Sequence, residues 1–141
     1  MKLQVNRLAH PVTALGPGRR VGLWVQGCSI HCPGCGSLDT WDPTSGEIAD
    51  TAALAAQIAA LVAEERLTGM TITGGEPTEQ SDALADLVTR LRRLVEATGD
   101  TGLEPVDVLV FTGCSLATAA KRAAALWAVA DAAVCGPYRP G

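Results

Sequence analysis

Arg20-Val21-Gly22-Leu23-Trp24-Val25-Gln26-Gly27-Cys28-Ser29-Ile30-His31-Cys32-Pro33-Gly34-Cys35 is the stretch from which the fold can be read. Its first seven residues are a short apolar run of β-formers. Gly16-Pro17-Gly18 precedes them as a turn and Gly27 stops them, so they read as one buried strand. That strand delivers the chain into three cysteines spaced CxxxCxxC. Residues 28 to 47 are rich in Gly, Pro, Ser, Thr and Asp, so an irregular loop is expected there. A loop that long inside a small domain normally carries function.

Working outward, Leu54, Ile58, Leu61 and Val62 recur at helical spacing among alanines between Thr51 and Arg66, with Asp50 or Thr51 as cap. Met70-Thr71-Ile72-Thr73 is a short strand broken by Gly74-Gly75-Glu76-Pro77. A second helix follows, with Leu84, Leu87, Val88, Leu91, Leu94 and Val95 on one stripe. Val106-Asp107-Val108-Leu109-Val110-Phe111 is the clearest strand and closes at Thr112-Gly113. Ser115 caps a third helix expected to run to about Trp127. Ala132-Ala133-Val134-Cys135 is one more strand, stopped by Gly136-Pro137.

Strands and helices therefore alternate, and the fold class is α/β: a mostly parallel sheet with right-handed crossovers and helices on its outer face. In such folds the ligand site lies beyond the carboxyl ends of the strands. The cysteine loop, Gly74-Gly75-Glu76-Pro77, Thr112-Gly113 and Cys135-Gly136-Pro137 each follow a strand. They are expected to meet at one mouth although they are far apart in sequence.

The bulk properties are consistent with this. A chain of 141 residues that is 48% hydrophobic has room for one substantial core, so residues 1–141 are read as a single domain. Net charge is -4 and charged residues are 18% of the chain, dispersed rather than blocked, which argues against a nucleic-acid partner. Arg19-Arg20, Arg92-Arg93 and Lys121-Arg122 are short pairs of the kind found on solvated helix faces. The N-terminal stretch lacks the apolar core of a signal peptide, and no run approaches the ~18 apolar residues of a membrane span. A soluble, cytoplasmic protein is expected, in which five thiols are read as ligands, nucleophiles or small hydrophobes rather than disulfides.

Cys28, Cys32 and Cys35 are close enough to hold one metal centre. A 4Fe-4S cube needs a ligand on each iron, so three thiolates and no fourth cysteine in the loop leave one iron open for substrate. Zinc is the rival, with His31 or His10 as fourth ligand, but the spacing matches neither paired CxxC knuckles nor CxxC with HxxxH. A dithiol–disulfide role for Cys32 and Cys35 leaves Cys28 unexplained. Cys114 and Cys135 are read as buried small hydrophobes.

Together these features resemble the radical S-adenosylmethionine superfamily, whose hallmark is CxxxCxxC after the first strand. Trp24-Val25-Gln26-Gly27-Cys28, Cys32-Pro33-Gly34-Cys35, Asp39-Thr40-Trp41-Asp42, Thr73-Gly74-Gly75-Glu76-Pro77, Val110-Phe111-Thr112-Gly113 and Gly136-Pro137 are similar to the small activating enzymes of anaerobic ribonucleotide reductase. The resemblance spans the chain from about Asn6. It implies a partial (β/α) barrel, a 4Fe-4S cluster on Cys28, Cys32 and Cys35, and S-adenosylmethionine chelated at the open iron. It further implies reductive cleavage to methionine and a 5'-deoxyadenosyl radical. Gly74, Gly75 and Glu76 would meet the methionine amino group, and Thr112 with Gly113 would lie beside ribose or adenine. The implied partners are a glycyl-radical reductase as protein substrate and flavodoxin or ferredoxin as electron donor.

The chain departs from that family at Gly36 and Cys114, where an aromatic residue (or, at Gly36, His) is common, and at Cys135, where an acidic residue is usual. It also stops soon after Gly136-Pro137, where the family continues, so a C-terminally truncated or minimal domain is expected. Two other functions fit the same residues: a radical enzyme acting on a small molecule or peptide, and a non-catalytic iron–sulfur or zinc module.

Overall fold

The computed structural model describes residues 1–27, 46–103 and 105–136. Its strands are β1 Lys2–Val12, β2 Arg20–Val25, β3 Glu47–Asp50, β4 Gly69–Gly74, β5 Asp107–Thr112 and β6 Ala132–Cys135. The helices are α1 Thr51–Glu65, α2 Ser81–Ala97, α3 Leu116–Arg122 and α4 Ala124–Val129, with a 3-10 turn at Pro77–Gln80 ahead of α2. The six strands form one sheet in the order β3-β1-β2-β4-β5-β6. β2, β4, β5 and β6 run parallel, whereas β1 is antiparallel to both β2 and β3. The expected parallel α/β sheet is present and remains open, with β3 and β6 as its edges.

Alternation along the central strands separates two faces. Val21, Leu23 and Val25 of β2, Met70 and Ile72 of β4, and Val108 and Val110 of β5 are fully buried and point to one side. α1 covers that side with Leu54, Ala55, Ile58 and Val62, and α2 with Leu84, Leu87, Val88, Leu91 and Val95. Both helical stripes match the expected spacing, except that Leu94 lies off the seam and is 40% exposed. Asp50 caps α1 by accepting from the Ala53 amide, and Ser115 caps α3 by accepting from Thr118.

The opposite face carries Arg20, Gly22, Trp24, Thr71, Thr73, Leu109 and Phe111. Its lower end is plugged by Arg20, which is fully buried. The Arg20 guanidinium donates to Thr71 Oγ1 at 2.7 Å and to the carbonyls of Met70 and Pro17 at 2.9 and 3.2 Å, and pairs with Asp107. A buried cation is tolerable only with such partners. Thr71 Oγ1 in turn donates to the Leu15 carbonyl, which fastens the segment between β1 and β2 across the floor.

The structure adds elements that the sequence pattern did not disclose. β1 lies in a segment given no strand because its alternation is broken: Val5 pairs with Val25 but Arg7 with Trp24, so Asn6 is an extra, bulged residue. β3 falls at the end of the expected loop. It is only four residues long, lacks buried apolar positions, and exists through its pairing with β1. The single third helix is instead two, broken at Ala123, where φ is -126° and ψ 46°. The alanine-rich run contains no breaker. The break lets Leu126 turn fully inward while its amide donates to Ser81 Oγ at 3.1 Å.

The N-terminal edges are tied to α2 through Asp86, which accepts from Thr51 Oγ1 and from Arg90 Nε. The Thr51 hydrogen bond first, and then Arg90, hold the Asp86 carboxyl below its ordinary value. The folded state therefore binds fewer protons than the unfolded chain, and stability is lost as pH falls below about 4. Asp86→Asn should lower Tm at pH 7, and the gap from the parent should narrow on acidification, as calorimetry across pH 2 to 7 would show.

Candidate active site

The carboxyl ends of the parallel strands are stitched to one another by a continuous set of hydrogen bonds. Gly75 N–H donates to the Val25 carbonyl and Glu76 N–H to the Gly27 carbonyl, both at 2.8 Å. Gly113 N–H donates to Glu76 Oε1 at 2.7 Å, and Gly136 N–H to the Cys114 carbonyl at 2.9 Å. The residue before Cys28, the Gly74–Pro77 turn, Thr112-Gly113 and Cys135-Gly136 thus lie side by side, as the strand order predicts. Cys28, Cys32 and Cys35 themselves, with His31, Asp39 and Trp41, lie outside the described residues.

Gly75 is required by this closeness. A Cβ there would stand 2.2 Å from the Gly27 carbonyl oxygen, and one on Gly74, whose φ is +98°, would stand 2.7 Å from the Val25 backbone. The turn after β4 is pressed directly onto the peptide that leads into the cysteines.

Glu76 is 1% exposed and its carboxylate accepts four hydrogen bonds. These come from Thr78 N–H at 3.0 Å, Thr78 Oγ1 and Thr112 Oγ1 at 2.6 Å each, and Gly113 N–H. Thr112 Oγ1 also accepts from the Cys114 amide at 3.0 Å. The side chains of Glu76 and Thr112 are therefore turned toward each other, holding β4 to β5, and what they bring to the mouth is backbone.

Below the mouth, on the face away from the helices, are Trp24, Thr73 and Phe111. The Trp24 ring lies over Gly22, where a Cβ would come within 2.6 Å of it, and the Arg7 guanidinium stacks 4.5 Å from the ring centroid. This gives the site an apolar wall above the Arg20 floor.

One rival ligand is located and one expectation is corrected. His10 lies toward the other end of β2 from Gly27: its neighbours Ala9 and Val12 pair with Gly22 and Arg20, and its Nδ1 meets Glu65. Cys135 is exposed rather than buried, because β6 is an edge strand. Cys114 is buried, with Sγ 3.7 Å from Thr78 Oγ1 and 3.8 Å from Arg122. Neither Gln26 nor Gln80 is singled out from the sequence, although a lone amide at the end of an apolar strand is the kind of signal that marks a buried polar contact.

Comparison with known proteins follows the same lines. Residues 14–140 match the family described as a 4Fe-4S single cluster domain. Over 134 residues the chain is 30% identical to the anaerobic ribonucleoside-triphosphate reductase-activating protein of Vibrio cholerae, covering 92% of this chain and 81% of that protein. Its Escherichia coli counterpart is 34% identical over 112 residues, 76% of this chain and 67% of that one. The protein of the same name from Enterobacteria phage T4 is 37% identical over 62 residues; the chain spans only 39% of that relative. The crystal structure of QueE from Escherichia coli shares the fold, with a TM-score of 0.53 at 16% identity over 82% of this chain and 54% of that one.

Truncating Glu76 to Ala leaves two buried amides and two hydroxyls without their acceptor, and should destabilise the fold by about 1–3 kcal/mol in urea titrations. Gly75→Ala should also lower Tm, because the Gly27 peptide has to shift to admit the methyl group.

Proposed function

The chain belongs to the 4Fe-4S single cluster domain family and, within the radical S-adenosylmethionine superfamily, to the anaerobic ribonucleoside-triphosphate reductase-activating proteins; from that premise we propose that it generates a glycyl radical on an anaerobic ribonucleotide reductase. Cys28, Cys32 and Cys35 would hold a 4Fe-4S cluster that binds S-adenosylmethionine. When bound, the cluster supplies the electron that cleaves the sulfonium bond to methionine and a 5'-deoxyadenosyl radical.

The observation that carries this reading is the pair of hydrogen bonds from Gly75 and Glu76 to Val25 and Gly27, which sets the Gly74–Glu76 turn against the entry to the cysteines. The donor set fits the group: three thiols in one short segment and no fourth cysteine beside them. Gly74 and Gly75 present backbone to the methionine amino group, with Glu76 holding that backbone in place. Thr112 and Gly113 line the ribose or adenine side, Thr112 through its backbone because its hydroxyl is committed to Glu76. Trp24 and Phe111 would supply apolar surface on the sheet face away from the helices.

Residues 1–141 act as one domain. Among the described residues no helix is long and apolar enough to cross a membrane, and we place the protein in the cytoplasm, with flavodoxin or ferredoxin as reductant and no nucleic-acid partner.

The test is anaerobic reconstitution with iron and sulfide, reduction by dithionite, and addition of S-adenosylmethionine with and without the reductase. Chromatography should detect 5'-deoxyadenosine and paramagnetic resonance a glycyl radical on the reductase. Cys28→Ala, Cys32→Ala or Cys35→Ala should each lose most of the cluster and both products, whereas Cys114→Ala and Cys135→Ala keep the cluster. 5'-Deoxyadenosine without a radical on the reductase would move the substrate elsewhere, and stoichiometric zinc without iron would overturn the reading.

A further inference from the structure

The peptide that enters the cysteine segment is held from a second direction. Gln26 is 1% exposed; its amide donates to the Gln4 carbonyl at 3.0 Å, and its side-chain oxygen accepts from Asn6 Nδ2 at 2.9 Å. The Gln26 carbonyl belongs to the peptide bond immediately before Gly27. It accepts from Gln80 Nε2 at 3.1 Å, which also donates to the Gln4 carbonyl at 3.1 Å. Gln80 Oε1 accepts from the Gln4 amide at 2.8 Å. One primary amide thus bridges β1, the end of β2 and the turn that follows β4.

The chain also returns from the cysteine segment to the same spot. Gly46, with φ +81°, lies so close that a Cβ would stand 2.6 Å from the Val5 carbonyl oxygen and 3.1 Å from Gln26 Cβ and Cγ. Departure at Gly27 and return at Gly46 are both referred to Gln26, and Gln26 is referred to Gln80.

We infer that Gln80 is a positioning residue for the cluster: by fixing the Gln26 carbonyl it sets where the Gly27 peptide delivers Cys28. This rests on the reading of Cys28 as a ligand. Gln80 contributes no atom to the cluster and acts through two carbonyls and one amide. A glutamine fits because the site needs two donors and one acceptor on one planar group. A glutamate would turn an acceptor toward the two carbonyls, and a methionine or leucine would leave them unserved. Residues that orient ligands in this way alter the properties of the metal and not only the stability of the fold.

The experiment compares reconstituted parent, Gln80→Leu and Gln80→Glu with Asp100→Ala, which removes an exposed pair with Arg66 far from the mouth. Iron content, the resonance spectrum of the reduced cluster, its midpoint potential, Tm and the rate of 5'-deoxyadenosine formation are measured on each. Both Gln80 variants should show a changed resonance spectrum, a shifted potential and about a tenfold loss of rate. Asp100→Ala should change Tm alone. Should one Gln80 variant fail to fold, the other decides. Parent-like spectrum, potential and rate in a folded Gln80 variant would overturn the inference. Absence of an iron–sulfur cluster from the reconstituted parent would instead overturn the assignment on which it rests.

Discussion

A carboxylate taken out of water has to be met by donors, because each hydrogen bond it forgoes there costs about 1–3 kcal/mol. Glu76 is met by four, from Thr78, Thr112 and Gly113. Those donors reside on the 3-10 turn and at the end of β5, so burying this one side chain forces two strand ends into a fixed separation. The backbone of the same residue bonds to Gly27 at the end of β2. Three strand ends are thereby located by a single residue, and the fourth follows through the bond from Gly136 to Cys114.

Among the described residues, this arrangement leaves mostly glycine and main chain at the strand ends. Of the side chains described there, those of Glu76 and Thr112 are occupied with holding the frame. Arg20 is neutralised against Asp107 at one end of the sheet, and Glu76 fastens the strand ends at the other.

Much of this was legible from residues alone, for reasons that differ by element. β2, β4 and β5 are buried on their helix side and carry the β-formers such strands need, and α2 has a clean apolar stripe, so period and length were decisive. The convergence of Gly74-Gly75-Glu76-Pro77 with Thr112-Gly113 followed from parallel topology without any knowledge of contacts. β1 was hidden because the bulge at Asn6 breaks its alternation, and β3 because its stability comes wholly from β1. The split between α3 and α4 was hidden because alanine favours helix equally at every position, while the reason for the break lies in Leu126 and Ser81. The bond from Thr112 to Glu76 and the bridging role of Gln80 depend on residues at distances of 36 and 76 in sequence, and no local pattern encodes such pairings.

The sheet is also uneven in a way that concerns its motions. Inward residues of β4 are fully buried, whereas all four residues of β6 are exposed and pair with β5 alone. On that difference in burial, amides of β4 are expected to exchange most slowly and those of β6 most readily. The molecule is a hard trunk with a soft flank. β6 meets the rim through the pairing of Cys135 with Thr112, the residue whose hydroxyl serves Glu76.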